Sequence, residues 1–396
     1  MVAPALDAPG RPWVATLVTA TAGVAIGWFG PIQILLPAQA QALGGDGKET
    51  LLALVTGTGA AASMVANPLW GAWSDRLRAR SGSRMPVLVT GLAVGVAGLL
   101  VLAAASAPAV MVLGWVLTQV GLNGPFAVLA ALIADRVPEQ QRGRVGSWFG
   151  VAQLIGTIAG TALAVALGEG ALGYVAVAVA VPLLVLPVLR ARPGVVPGEP
   201  AAVRLRSVRF DRTFAAAFLL RFLLNLVCAL GLLYLYYYLS DRAHVADPGT
   251  WVLALTVAYV LVAGLIAALG GALSDRLGRR RVVAGAAAAV LAIGSLLMAY
   301  AGSMPLIVLA VVILGAGYGL FLAVDVAVVT DALPDPATRA TLLGVANIGS
   351  TLPQVLAPVL AAPVVTHPGG YPLLYLATAG IALLALPVLP LLGRIR

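Results

Sequence analysis

Two charges interrupt otherwise apolar stretches of this sequence, Arg221 within FLLRFLLN and Asp325 within FLAVDVAV. An ionised side chain inside hydrocarbon is costly, so its presence asks for a partner, a function or both. Arg221 follows Arg212 by nine residues and Asp325 precedes Asp331 by six. At 1.5 Å per helical residue, both lie about 9 to 14 Å from the same basic edge, close enough in depth for the long arginine to reach the carboxylate. The two are expected to pair. One reading is a permanent clasp between two helices; the other is proton coupling or substrate binding, in which opening the pair lets the carboxylate take a proton. Small-residue packing joins helices more cheaply than a buried ion pair, which favours the second reading.

A second set is polar but neutral: Gln33, Gln119, Asn123, Asn225 and Gln354. Amides donate and accept, which suits a hydroxyl-rich ligand, and Trp28, Phe29 and Tyr318 could stack on the apolar face of a sugar ring. Taken singly, each amide serves equally well as a hydrogen bond between helices; as a set they favour a polar cavity. Tyr234, Tyr236, Tyr237 and Tyr238 fit an interfacial aromatic belt better than a ligand cage. The lone Cys228 and the loop residues His244 and His367 leave no metal cluster and no intrachain disulfide. No Gly-x-x-x-x-Gly-Lys-Ser/Thr loop is present, so no nucleotide is expected as partner or energy source. One isolated carboxylate also argues against a membrane enzyme, and no cofactor is implied.

The elements that hold these residues follow from composition. Apolar residues make up 61% and charged residues 10% of the 396, far from the roughly 45 to 50% and 25% of soluble domains. Apolar runs of about 20 residues, the length that crosses a bilayer as a helix, are expected near 13–42, 50–73, 86–106, 108–134, 145–168 and 171–190, and again near 213–240, 250–273, 282–302, 304–330, 341–365 and 370–392. The fold class is therefore an all-α integral membrane protein of twelve transmembrane helices: a six-helix bundle over 1–190, a linker over 191–212 and a second bundle over 213–396. The net charge of +9 is a topology signal, because the basic residues cluster between spans and leave no soluble face for nucleic acid. Twenty-one Arg residues fall on one set of loop faces, against Lys48 and Arg242 on the other. Positive residues stay inside, so both termini and the linker are expected to be cytoplasmic, in a multi-pass protein of the cell membrane. The basic linker is read as a solvated connection, with a helix resting on anionic lipid as the alternative. The opening residues lack a cleavable signal pattern, so the first span is expected to be retained.

The two halves repeat each other. Gly71-Ala-Trp-Ser-Asp75-Arg76-Leu77 returns as Gly271-Ala-Leu-Ser-Asp275-Arg276-Leu277, Asp135-Arg-Val-Pro138 as Asp331-Ala-Leu-Pro334, and Gly150-Val-Ala-Gln153 as Gly344-Val-Ala-Asn347. Three matches in one order, at nearly one spacing, indicate duplication of a six-helix unit. In the Gly-x-x-x-Asp-Arg turns the glycine permits close helix approach, while Asp and Arg can cap helix ends or pair across a loop. Pairs that form in one conformation and break in another would make a conformational latch of Gly71, Asp75, Arg76, Gly271, Asp275, Arg276, Arg279 and Arg280; a topology-fixing turn is the plainer alternative. Gly30-Pro31, Pro37 and Gly124-Pro125 interrupt helix hydrogen bonding at membrane depth, as at binding sites or bending points. Gly146/Gly150 and Gly156/Gly160 give small-residue packing faces.

Gly71 to Arg84 and Gly271 to Arg281 resemble the loop motif of the major facilitator superfamily, Gly-x-x-x-Asp-Arg-x-Gly-Arg-Arg. The second copy keeps Gly278, Arg279 and Arg280; the first departs from it, with Arg78-Ala-Arg80-Ser-Gly82-Ser-Arg84. Within that superfamily, Ser74-Asp75-Arg76, Asn67-Pro68 and Asn347 to Pro358 are closest in pattern to the glycoside and sucrose-type cation symporters, although the arginine run of that branch is reduced here to Arg84. The resemblance implies that the first, fourth, seventh and tenth helices line the substrate path. It implies a secondary transporter of a small-molecule substrate with a coupling proton, in the form of sugar or glycoside symport. A proton-driven exporter of drugs or small metabolites is the alternative, and a channel suits duplicated halves less well.

Overall fold

A computed structural model describes residues 10–190, 211–277, 279–333, 339–367 and 369–393; the side chains of 139–140, 272–277, 339–341 and 343–344 are outside that description. The linker residues 191–210 therefore lie outside the described residues. The chain divides into two compact units, Met1–Ala201 and Ala202–Arg396. Every regular element among the described residues is helical. That outcome follows from sequences rich in Ala, Leu and Val, whose backbone polar groups must be satisfied within the segment when no water is near.

In the first unit the helices are α1 (Arg11–Gly30), α2 (Leu36–Gly44), α3 (Lys48–Ser81), α4 (Met85–Ala103), α5 (Pro108–Arg136), α6 (Glu139–Leu167), α7 (Ala171–Val185) and α8 (Pro187–Arg190). The second unit holds α9 (Arg212–Leu233), α10 (Leu235–Tyr237), α11 (Pro248–Leu277), α12 (Arg280–Tyr300), α13 (Met304–Asp331), α14 (Arg339–Val365) and α15 (Gly370–Leu384). Among the described residues, eleven helical stretches are long and apolar enough to cross a membrane, and the first of them, Arg11–Ser81, runs for 71 residues. A straight helix of that length would reach roughly 100 Å, about three bilayer cores. It is instead broken at Gly45–Gly47, where Gly45 takes φ 52°, a left-handed conformation glycine adopts without a Cβ penalty. Divided there, the eleven stretches supply twelve crossings.

The two units use one packing scheme. In the first, α4 packs on α5, α1 on α6, α3 on α5, α4 on α7 and α1 on α7; in the second, the counterparts are α12 on α13, α9 on α14, α11 on α13, α12 on α15 and α9 on α15. The duplication in the sequence is thus a duplication of helix neighbours. At the α4/α5 contact the backbones nearly touch: a Cβ placed on Gly121 would stand 2.1 Å from the backbone nitrogen of Gly95. The start of α11 is capped by Asp247, whose Oδ1 accepts the Thr250 N–H at 3.0 Å, with Pro248 at the first helical position. Hydrogen bonding to the Thr250 side chain, and then to its backbone N–H, holds the Asp247 carboxyl below its ordinary range.

Gly30-Pro31 interrupts the first span as a π-helical turn over Pro31–Leu35, and Pro125 interrupts the hydrogen bonding of α5 without ending the helix. The proline deprives the Gly121 carbonyl of its helical donor, and Gly91 of α4 packs so tightly on that oxygen that a Cβ there would be 2.7 Å away. Two other local expectations are corrected. Of the two glycine faces on α6, Gly156 and Gly160 pack on α1, whereas nothing lies within 4 Å of a Cβ at Gly146 or Gly150. Finally, Tyr234, Tyr236, Tyr237 and Tyr238 form no surface belt. All four are buried, and the Tyr238 hydroxyl donates to the carbonyls of Met298 and Ala301 at 2.8 and 3.2 Å. Tyr238 also packs edge-on against Tyr371 and Tyr375 of α15, with centroids 6.2 and 5.4 Å apart.

Candidate functional site

In the second unit, α9 and α13 bring Arg221 and Asp325 together. Arg221 Nη2 lies 3.3 Å from Asp325 Oδ2, with the side chains 17% and 9% exposed. The geometry is single-pronged: Arg221 Nε and Asp325 Oδ1 are both buried and have no hydrogen-bond partner in the protein. A pair this deep with one unsatisfied atom on each side is a poor structural clasp, since buried polar atoms ordinarily find partners.

Helical spacing gathers more groups around it. Arg221, Asn225 and Cys228 recur at i, i+4 and i+7 along one face of α9, and Tyr318, Phe321 and Asp325 at i, i+3 and i+7 along one face of α13. Asn225 Nδ2 donates to the Arg221 carbonyl one turn back, at 2.8 Å, so its donor is used within the helix. Tyr318 stacks on Tyr259 of α11 with centroids 5.6 Å apart and planes 18° from parallel. The Tyr259 hydroxyl is hydrogen-bonded to the Cys228 thiol, and Tyr318 lies within electrostatic reach of both Cys228 and Asp325. A small cavity of about 10 Å³ adjoins the pair, walled by Ala217, Leu220, Phe321, Val324, Val328 and Ala284 among others. Tyr259 and Cys228 were not singled out by the sequence reading. The signal for Cys228 was its place two turns after Arg221; Tyr259 carried none, because a tyrosine inside an apolar span has no charge to mark it.

The first unit holds Gln33, Gln119 and Asn123 together with Trp28 and Phe29. Gln33 Oε1 accepts a hydrogen bond from Thr161 at 3.0 Å, joining the π-helical turn to α6. Asn123 Nδ2 donates to Ser63 of α3 and to the Gln119 carbonyl, each at 2.7 Å. Both amides thus serve helix contacts, whatever else they do. Trp28 sits edge-on to Phe126, 5.2 Å between centroids, and Phe126 lies 5.4 Å from Phe149. The buried Trp28 Nε1 has no hydrogen-bond partner in the protein. Phe29 and Gln119 are half-buried, and Gln354 is exposed on α14. Arg221, Asn225, Tyr318 and Asp325 are therefore assembled within one unit, whereas Trp28, Phe29, Gln33, Gln119 and Asn123 belong to the other.

The loop motifs form ion-pair clusters within each unit. Arg84, at the start of α4, donates from Nη1 to Asp75 at 2.6 Å and to Ser74 at 2.9 Å, and from Nε to Asp135 of α5 at 2.8 Å. Arg78 adds a 2.9 Å contact to Asp135. Burial works against the Arg84 charge, but Asp135 and Asp75 outweigh it and hold its pKa above the ordinary arginine value. In the second unit, Arg280 pairs with Asp331 and also reaches the Ala327 carbonyl at 3.4 Å. The correspondence is Arg84 with Arg280 and Asp135 with Asp331, one spacing for both. Arg84 and Asp135, absent from the expected latch, are thus central to the first cluster. Arg76 and Arg279 are exposed, and a Cβ at Gly71 or Gly271 would meet nothing within 4 Å. The side chains of Asp275 and Arg276 lie outside the described residues. Among the described residues no group of His, Cys, Asp or Glu could hold a metal.

Known proteins give this arrangement its context. The sequence profile of the Major Facilitator Superfamily matches residues 15–257 and 245–395. No curated protein matches significantly in sequence. The fold is similar to that of a bacterial homolog of the human lysosomal transporter Spinster, with TM-score 0.80, 16% identity and 98% of each chain covered. It is also similar to the peptide transporter POT in complex with sulfate, at TM-score 0.79 and 15% identity over 100% of this chain and 98% of that one. For the nucleoside transporter NupG, as its D323A mutant, the values are 0.76 and 14%, over 96% of this chain and 100% of the other.

Proposed function

This chain belongs to the Major Facilitator Superfamily and is a multi-pass membrane transporter, and from that premise we propose that it is a secondary active transporter coupled to protons through Asp325 and Arg221. It moves a small solute across the cell membrane by alternating access, with both termini cytoplasmic as the arginine distribution indicates. The observation that carries the reading is the buried Arg221–Asp325 pair at 3.3 Å, in which each partner keeps one unsatisfied atom. Protonation of Asp325 cancels the attraction and frees Arg221; deprotonation restores it. A carboxylate that alternates between these states can tie proton movement to conformational change.

The solute is a sugar or glycoside carried in the same direction as the proton. The support is the pattern of the loop motifs, the amides and the aromatic rings around Trp28. A second reading, proton-driven export of drugs or small metabolites, has an observation of its own: the side chains beside the ion pair are Ala, Leu, Phe and Val. Uptake into proteoliposomes under an imposed inward proton gradient, screened against sugars, glycosides and cationic dyes, separates the two. Sugar or glycoside accumulation that collapses with a protonophore supports symport. Dye movement against the proton gradient without sugar uptake replaces it with export. The clusters around Arg84 and Arg280 act as the conformational latch, since in each one an arginine at the start of one helix is paired with an aspartate at the end of another.

A further inference from the structure

We propose that the spans carrying Trp28 and Arg221 are anchored at the end opposite the arginine clusters by two equivalent side-chain clamps, so that their freedom to swing lies at the other end. In the first unit the clamp is Gln39 of α2. Its Nε2 donates to the carbonyls of Leu102 and Ala105, at the end of α4, at 2.9 and 3.3 Å, and its Oε1 accepts from the Tyr174 hydroxyl of α7 at 2.9 Å. In the second unit the clamp is Tyr238, whose hydroxyl donates to the carbonyls of Met298 and Ala301 at the end of α12 and whose ring meets two rings of α15. The acceptors are counterparts: Leu102 and Met298, like Ala105 and Ala301, are separated by the spacing that links Asp135 to Asp331. Even the turn repeats, since the Ala105 N–H donates to the Leu102 carbonyl and the Ala301 N–H to that of Met298. A carbonyl oxygen has two lone pairs, so each can accept both bonds.

Gln39 and Tyr238 share no chemistry beyond a donor at the tip of the side chain. The last carbonyls of a helix have no donor within it, and water or any nearby polar group could serve them. In both units the donor comes instead from the span that is broken partway. The first span passes through the π-helical turn Pro31–Leu35 before α2, and the seventh breaks at Tyr234 into α10 and a second π-helical turn, Tyr238–Arg242. Beyond such a break a segment no longer continues the regular hydrogen bonding of its own helix, so side-chain bonds to neighbours decide how firmly it is held. The second unit adds two: the Tyr375 hydroxyl donates to the Gly231 carbonyl of α9 at 3.1 Å, and the Tyr371 hydroxyl to Asp241 at 2.9 Å. Thus α2 is tied to α4 and α7, and the turn after α10 to α12 and α15, the counterpart helices in each case. Asp325, on α13, takes no part in these bonds, so Arg221 can leave it by a swing of α9 about a fixed end.

The test is amide hydrogen exchange, read by mass spectrometry on the full chain in lipid nanodiscs. Tyr238→Phe deletes the hydroxyl and keeps the ring; Gln39→Leu deletes the amide and keeps an apolar side chain. Tyr238→Phe is expected to speed exchange in 235–242 by at least about fivefold, the low end of what stranded acceptors cost, with 36–44 and α13 within about twofold of wild type. Gln39→Leu is expected to do the converse, in 36–44 with 235–242 unchanged. In the wild type both segments should exchange more slowly than 11–17 and 212–218, at the other ends of the same spans. A rise confined to the ends of α4 and α12 would make the bonds helix caps alone and overturns the anchors. A uniform rise through the unit, unchanged exchange in both variants, or a wild type in which 11–17 and 212–218 are the slower ends overturns them as well. If Gln39→Leu does not fold, Tyr238→Phe, which removes one oxygen, decides. The coupling role of Asp325 stands or falls separately, since the anchors do not require it.

Discussion

Replacing Arg221 with Met keeps the length of the side chain but deletes its charge, and leaves Asp325 9% exposed with no counter-ion. Removing one partner of a buried ion pair costs about 3–5 kcal/mol, because the remaining charge has lost both its partner and its water. Neither side chain is exposed enough for solvent to screen much of that loss. Asp325→Asn is expected to cost a similar amount by stranding the guanidinium. The double variant Arg221→Met, Asp325→Asn removes both charges and should lie within about 1 kcal/mol of wild type, since replacing a buried pair by neutral groups is often nearly free. The coupling energy of the cycle is therefore about 5 kcal/mol or more, the low-end sum of the two single losses less the loss of the double variant. For a cooperative unit of about 200 residues, a loss of about 3 kcal/mol lowers the melting temperature by roughly 6–12 °C. The assay is the thermal midpoint of the detergent-purified protein for all four forms at one pH and one salt concentration. A double variant as unstable as the sum of the singles would refute the argument, because the two side chains would then be acting independently.

Within the first loop cluster, effects should follow burial: Arg84→Met, which strands Asp135 and Asp75, costs several kcal/mol, whereas Asp75→Asn, at a carboxylate 61% exposed, costs about 1 kcal/mol or less; the same thermal assay ranks them. Gly121→Ala forces a methyl group to 2.1 Å from the Gly95 nitrogen and is expected to lose at least about 1–3 kcal/mol, while Gly71→Ala, with nothing within 4 Å, stays near wild type. Asn123→Ala leaves the Ser63 hydroxyl without its donor and should cost about 1–3 kcal/mol, less in the Ser63→Ala background, where no hydroxyl is left behind. The Asp247 cap has a depressed folded pKa, so its contribution is present above the ordinary carboxylate range and disappears as pH falls through the folded value. Asp247→Ala is thus expected to cost about 0.5–1 kcal/mol at neutral pH and nothing in acid, checked by thermal midpoints across a pH series.

Much of this architecture was legible because membrane folding leaves few alternatives. Spans, their number and the duplication followed from apolar length and from motif spacing, and helix neighbours then repeated between the units. The Arg221–Asp325 pair was legible for the same reason: two charges at one depth in hydrocarbon have few other partners. What the sequence concealed were choices between near-equal packings. How Pro125 is accommodated in a continuing helix depended on Gly91 closing over the Gly121 carbonyl, and whether Tyr238 faces lipid or protein depended on acceptors supplied by Met298 and Ala301. Arg84 was hidden by a different cause, because the expected motif placed weight on Arg76, while the spacing that links Asp135 to Asp331 also links Arg84 to Arg280. Gln33 and Asn123 show the limit for neutral groups, since amide identity does not reveal whether a ligand or a neighbouring helix is the partner.

The central claim is that Asp325 carries the coupling proton. Its most direct test is Asp325→Asn in proteoliposomes, comparing accumulation driven by a proton gradient with exchange of the same solute at equal pH on both sides. The account predicts that accumulation is lost while exchange persists. Proton-driven accumulation at the wild-type level in Asp325→Asn would contradict it.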